Sequence, residues 1–231
     1  MKRHPLLSAT MVAVCEREMS RGRVRHFTRC VEALRDLRIH PAEILVCGLN
    51  LGDCDGLDLL EVVHAESLAR SIVIVSDRKD ERVLDRLRRY KERAVMVDAD
   101  ALDEAELTWA LQRARSGEGH VSASIREAWA HVRQAPDGFS LRLTEAEQAV
   151  LAYSAAWSED HLVASRRGRS LATVQTQRKR AMRKLGLRSR AELVVYAVRA
   201  GLLRFDGNAT LFPGLEANRL RAAAAAFPPK T

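Results

Sequence analysis

The run "SIVIVS", Ser71 to Ser76, constrains this chain more than any other stretch. It is short and nearly continuous in apolar residues, so it reads as a strand buried on both faces. Both faces of such a sheet must be covered, and parallel strands joined by helices meet that need. The rest of the N-terminal half has the same rhythm. Thr10 to Val14, Ile44 to Cys47 and "AVMV" read as further strands. Apolar spacings of three and four mark the intervening helices. These are "SRGRVRHFTRCVEALRDL" with Val24, Phe27, Val31 and Leu34, then Leu57 to Leu68, then a segment with Val83, Leu84 and Leu87, then Asp103 to Arg115. After the first helix, Arg38 to His40 is the one weak candidate for a strand.

Near residue 120 the alternation stops. "HVSASIREAWAHVRQAPDGFS" holds one short helical stretch, and Pro136, Asp137 and Gly138 then punctuate a linker. From Leu143 every segment reads as helix. The expected organisation is an α/β unit at 1–120, a linker at 121–140, a helical unit at 141–205 and a tail at 206–231. The alanine-rich part of that tail reads either as a docked helix or as a disordered end.

The formal net charge is +8, which points to an anionic partner. From His161 to Arg204 there are twelve basic residues against Glu192 alone. The four cysteines, Cys15, Cys30, Cys47 and Cys54, form no C-x-x-C pair and have no histidine cluster beside them. They read as small buried residues in a reducing cytosol, with a redox or metal site as the lesser alternative, and neither metal nor cofactor is expected. The start "MKRHPLLSATMVAVC" has the outline of a lipoprotein signal, but Val14 stands where a small residue should precede the cysteine. No apolar run approaches the roughly 20 residues that span a bilayer. A cytoplasmic protein without membrane contact is expected.

The helical unit carries motifs. "LTEAEQAVLAYSAAW" opens with Thr144 and has Glu147 three residues on, a capping box. A short helix follows near Ser158. "RSLATVQTQRKRAMRKLG" then has Ser170 as N-cap and Gly186 as stop, with Val174, Ala181, Met182 and Leu185 on one side and Gln175, Thr176, Lys179 and Arg183 on another. A short helix, a turn and a basic helix with a polar free face is a helix-turn-helix layout. Gln175 suits adenine edges and Lys179 guanine edges in a major groove. The bland reading is a solvated basic face on a helical bundle.

This segment resembles the LuxR/NarL-type DNA-binding domain, and within it the RcsB-like branch. The carrying residues are Leu143, Thr144, Glu147, Val150, Leu151, Val163, Ala164, Ser170, Thr173, Val174, Lys184, Leu185 and Gly186. Gln177 replaces the usual histidine, and Trp157 stands where glycine is usual. The resemblance implies base reading by Gln175, Thr176 and Lys179. It implies phosphate contacts from Thr173, Arg166, Arg167, Arg169, Arg178, Arg180, Arg183 and Lys184. It implies pairing of two domains through the last helix, with Leu193, Val194, Ala197 and Val198 in the seam. Double-stranded DNA and a second copy are the implied partners, and RNA polymerase a further one.

Such domains often follow a response-regulator receiver, a five-stranded doubly wound parallel sheet. "LNLGDCDGL" resembles the receiver segment that follows the phosphoacceptor aspartate, matching at Leu49, Asn50, Asp55, Gly56 and Leu57. Gly48 occupies the phosphoacceptor's own position. Phosphoryl chemistry there needs two acids for Mg²⁺, the aspartate, a hydroxyl and a lysine. This chain offers Cys15 and Glu16, Gly48, Ser76 and Asp98 in those places. The expectation is a degenerate receiver that acts without aspartyl phosphorylation, with Asp53 and Asp55 too far along the loop to substitute. Two other functions remain open: a co-regulator that heterodimerises with another LuxR-type factor, and a sensor binding a ligand through Glu16, Ser76 and Asp98. No nucleophile–base pair marks an enzyme.

Overall fold

The computed structural model describes residues 5–19, 23–134, 143–157 and 159–226. Strands β1 (Ala42–Gly48), β2 (Ala69–Ser76), β3 (Ala94–Asp98) and β4 (His120–Val121) form one parallel sheet in that order. The lack of alternation in β2 has the cause that its sequence implies. Ile72 and Ile74 face a core with Leu34, Leu60, Val63, Leu84 and Met96. Val73 and Val75 face the opposite core with Val95, Val97, Leu107 and Leu111. Helices α2 (Cys30–Ile39), α3 (Gly56–Ala65), α4 (Glu81–Leu87) and α6 (Ala123–Gln134) supply the first layer, and α5 (Glu104–Arg115) the second.

Three expectations are corrected. Thr10–Val14 is not a strand but the middle of helix α1 (Pro5–Glu18), so the sheet has four strands among the described residues, not five. A short apolar run does not separate helix from strand by periodicity. Here it buries Val14, 2% exposed, across Val73 and Val75, while Glu16 and Arg17 face outwards. Arg17 is ion-paired with Glu104 of α5. Second, α2 starts only at Cys30, leaving Val24 and Phe27 in the preceding coil. Third, Arg38 and Ile39 end that helix, and Arg38 makes a bidentate pair with Glu66 at 2.8 and 2.9 Å.

The second half has its own core, from Leu143, Val150, Leu151, Val163, Val174, Ala181, Leu193, Ala197 and Leu202. Its helices are α7 (Glu145–Ala156), α8 (Asp160–Arg167), α9 (Leu171–Lys184) and α10 (Arg190–Arg199). The capping box forms: the Glu147 amide donates to Thr144 Oγ1, and the Thr144 amide donates to Glu147 at 2.9 Å. A hairpin of β5 (Arg204–Asp206) and β6 (Ala209–Leu211) then leads to α11 (Ala217–Ala225). Of the two readings for the alanine-rich tail, the docked helix is observed. Ala217, Leu220 and Ala224 enter the sheet's core against α2 and α3, and Arg35 donates to the carbonyls of Ala223 and Ala224.

The two halves meet along α4. The Arg82 side chain is 0% exposed and donates to the Pro213 carbonyl at 2.8 Å, the Gly214 carbonyl at 3.2 Å and Gln148 Oε1. Its amide donates to the Ala200 carbonyl at 3.1 Å, so the start of α4 faces the end of α10. Gly201, at φ +74°, lies against Asp80, where any Cβ would strike the carboxylate. Arg86 and Arg89 both reach Glu145 at 3.0 Å.

Candidate nucleic-acid interface and the strand-end cluster

Helix α9 is held by both of its ends. Gly168, in the left-handed region at φ +58°, turns the chain out of α8. Ser170 accepts the Thr173 amide and so satisfies a free N–H of the first turn. Val174 and Ala181, seven residues apart, are fully buried and fix the rotation of the helix. That rotation leaves Gln175, Thr176, Lys179, Arg180 and Arg183 exposed, with Arg169 exposed just before the N-cap. Four side chains form a continuous stripe, since Gln175, Thr176, Lys179 and Arg183 recur at one, three and four residues.

Other residues expected on phosphates are engaged inside the protein. Arg166 pairs with Glu216 at 2.5 Å and lies over the Tyr153 and Trp157 rings. Arg167 donates to the Ala146 carbonyl, and Arg178 pairs with Asp160. Lys184 meets the Glu147 carboxylate at 2.7 Å. Burial works to raise the Glu147 carboxyl, but the Lys184 ammonium and the Thr144 hydrogen bonds hold it below the usual range. The Thr173 hydroxyl lies 2.8 Å from that of Ser170, within the cap. These cations brace the helices around α9.

Helix α10 divides the expected seam. Leu193 and Ala197, 2% and 0% exposed, belong to the core with Val150 and Leu151, so they are not available to a second domain. Val194 is half-buried against the same core. Val198 is exposed, and so is Val195, which the sequence reading missed. Its position three residues before Val198 on one helix face was the available signal.

At the carboxyl ends of the strands, Gly48, Ser76 and Asp98 come together: Ser76 is in register with Asp98, and Gly48 with Val75. Cys15 and Glu16 are not part of this cluster. They lie on α1, which packs on α5, and Glu16 is exposed. The cluster is closed by cations that the sequence reading did not find. Lys79 meets Asp98 at 2.7 Å, and Ser124 donates to the same carboxylate at 2.5 Å. These contacts outweigh burial and hold the Asp98 carboxyl below its usual range. Asp55 caps α3 through the Leu57 amide and is clamped by Arg78 at 2.6 Å and Arg204 at 3.5 Å. The Arg78 amide donates to Ser76 Oγ at 3.1 Å. Asp55 and Asp98 therefore each face a basic side chain, the reverse of a Mg²⁺ pocket.

The cysteines also depart from expectation. Cys30 and Cys54, 6.2 Å apart at Cα, are joined as a disulfide, while Cys15 and Cys47 are free. Burial pushes the Cys47 thiol up to about 12. The 23 residues between Cys30 and Cys54 hide their proximity from a reading by motif. Among the described residues no helix is long and apolar enough to cross a membrane.

Residues 141–197 match the model of a family described as bacterial regulatory proteins, luxR family. No curated protein matches the chain. Among solved structures, the RcsB response regulator of Salmonella typhimurium is similar at a TM-score of 0.55 and 20% identity, over 85% of this chain and 94% of that one. A structure of two RcsB dimers bound to two parallel DNAs is similar at 0.52 and 20%, with the same coverage. RcsB from Salmonella enterica serovar Typhimurium, bound to promoter P1flhDC with phosphomimetic BeF3⁻, is similar at 0.52 and 19%, over 86% of this chain and 95% of that one. At these identities the likeness speaks for the two-part fold.

Proposed function

We propose that this chain, whose residues 141–197 belong to the luxR family of bacterial regulatory proteins, is a DNA-binding transcription regulator that works without aspartyl phosphorylation. The observation that carries the reading is the exposed stripe Gln175, Thr176, Lys179 and Arg183 on a helix whose opposite side is locked into a core. Placed in a major groove, Gln175 and Lys179 face base edges, Thr176 contacts an edge or a thymine methyl, and Arg169, Arg180 and Arg183 face phosphates. A second copy joined through Val195 and Val198 would set two such helices about 34 Å apart along the duplex. The working division is residues 1–120, 121–140, 141–205 and 206–231. The family is one of regulators and not of enzymes.

Independence from phosphorylation rests on Gly48 and on the cations at Asp55 and Asp98. Ser76 and Asp98 already have internal partners, which disfavours a ligand sensor. Incubation with acetyl phosphate and Mg²⁺ should leave the intact mass unchanged, and an added acid-labile phosphoryl group would overturn this half of the reading. Electrophoretic mobility of defined duplexes with the protein alone tests the DNA half. If about six phosphates are neutralised, log affinity against log salt should slope near −5. Lys179→Ala should cost about 1–3 kcal/mol and relax preference at one base position. Loss that is equal on every sequence would make Lys179 a phosphate contact, and no binding by the protein alone would favour the heterodimerising co-regulator.

A further inference from the structure

We propose that Cys30 and Cys54 form a reversible thiol–disulfide switch, addressed by a dithiol reductant, that sets how firmly the DNA-binding half is docked on the sheet. This goes beyond the DNA-binding reading and does not depend on it. The pair stands where a local covalent change reaches the seam between the halves. Cys30 is the first residue of α2, and its amide donates to Asp53 Oδ1 at 2.9 Å. Cys54 lies in the loop between β1 and α3, directly before Asp55. The bond therefore pins residues 53–55 to the start of α2. Asp55 is the anchor of the seam: it holds Arg78 beside Asp80, and Arg204 at the exit of the helical half. One turn further along α3, Asp58 accepts the Glu216 amide at 2.7 Å, at the point where α11 begins.

The two sulfurs differ in access. Cys30 is 2% exposed and Cys54 only half-buried, so an incoming thiolate meets Cys54 Sγ. Attack there forms a mixed disulfide and breaks the Cys30–Cys54 bond, whose electron pair leaves on Cys30 Sγ. The amides of the first turn of a ten-residue helix favour that thiolate, while the neighbouring Asp53 carboxylate opposes it. Cys30 takes a proton from water. The second thiol of the reductant then displaces Cys54 as a thiolate, which is also protonated. The protein gains two electrons and two protons, and the reductant ends as a disulfide. A low-molecular-weight disulfide such as oxidised glutathione reverses the reaction by the same exchange. In the reduced state the loop loses its covalent tie, and Asp55 is placed only by its ion pairs and its cap on the Leu57 amide.

The test uses the full chain equilibrated with either oxidised glutathione or dithiothreitol, then denatured, alkylated and weighed. Two modified cysteines are expected in the oxidised sample and four in the reduced one. Hydrogen exchange on native samples reads the docking. Peptides holding Arg82 and Glu216, whose amides bond across the seam to Ala200 and Asp58, should exchange about tenfold faster after reduction. The Cys30→Ser/Cys54→Ser variant should follow the reduced protein in both buffers. Four alkylated cysteines in the oxidised sample would overturn the proposal. So would equal exchange of the wild-type chain in the two states, a readout that does not need the variant to fold. Since Cys30, Cys54 and Asp53 also have the composition of a soft-metal site, a change in exchange that follows added Zn²⁺ rather than oxidation would overturn it too.

Discussion

Replacing Arg82 by methionine should loosen the contact between the two halves more than any other single change on α4. The guanidinium is wholly buried, and burial pushes it down to about 10, a penalty of roughly 3 kcal/mol. Against this stand three hydrogen bonds to Pro213, Gly214 and Gln148. Bonds from a charged donor contribute about 1.5–3 kcal/mol each, so the set outweighs the penalty by about 3 kcal/mol. Methionine keeps most of the volume and removes the charge, but it leaves two carbonyls and a side-chain amide oxygen without a donor. The expected loss is therefore about 3 kcal/mol, or a fall in Tm of roughly 6–12 °C for a chain of this size. Scanning calorimetry at neutral pH measures it. Arg86→Met is the control one turn on, because its partner Glu145 is largely exposed and the pair contributes only about 1 kcal/mol or less. If both variants melt within about 2 °C of the parent, Arg82 is not buried between the halves in solution and the reasoning fails.

Three further outcomes follow from particular contacts. The Asp58 carboxyl is raised well above its usual range by burial and then by the Asp55 charge. The folded state thus holds this proton longer than the unfolded state, so its stabilising effect is complete at low pH and is lost as pH rises through the folded value. Asp58→Asn has no proton to lose and keeps an oxygen for the Glu216 amide; its urea midpoint should gain on that of the parent from pH 4 upwards, and parallel curves would refute the assignment. Val198→Glu should leave the far-UV circular dichroism unchanged and lower the dimer fraction in sedimentation, whereas Leu193→Glu should unfold the helical half; an unchanged dimer fraction would remove α10 from the seam. Gly48→Asp should fold, since an added Cβ meets only the Val75 carbonyl at 3.5 Å, yet should gain no phosphoryl group from acetyl phosphate while Lys79 and Arg78 hold the neighbouring carboxylates.

What the sequence discloses here is whatever short-range pattern encodes. The two-faced burial of β2 is written in consecutive residues, and the caps of α7 and α9 are written three residues apart. Periodicity misleads at α1, because "ATMVAV" suits either state and only packing over β2 decides between them. It is silent on Arg82, which has the sequence context of a surface arginine. Its partners lie 66, 131 and 132 residues away. The same holds for Lys79 and Asp98, for Cys30 and Cys54, and for the four cations around α9 that are held by partners within the protein. A basic helix advertises its charge, but the neighbours that neutralise part of it come from other segments. The stripe Gln175, Thr176 and Lys179 was legible because the buried residues Val174 and Ala181 flank it in the same helix.

The docking of α11 on α2 and α3 has a consequence for the order of synthesis. Ala217, Leu220 and Ala224 complete a core whose other walls are residues 30–96 and 121–125. While the chain is being made, that wall is missing for the 92 residues from Ile125 to Ala217. The nascent sheet must wait with one apolar face incompletely covered, although the helical half, built from residues 143–212, can close around local contacts. A ribosome that stalls or terminates between residues 212 and 216 would thus release a chain whose helical half is finished and whose sheet is not. Such a product would be exposed to proteases and to self-association through the N-terminal half, far along the sequence from the missing piece.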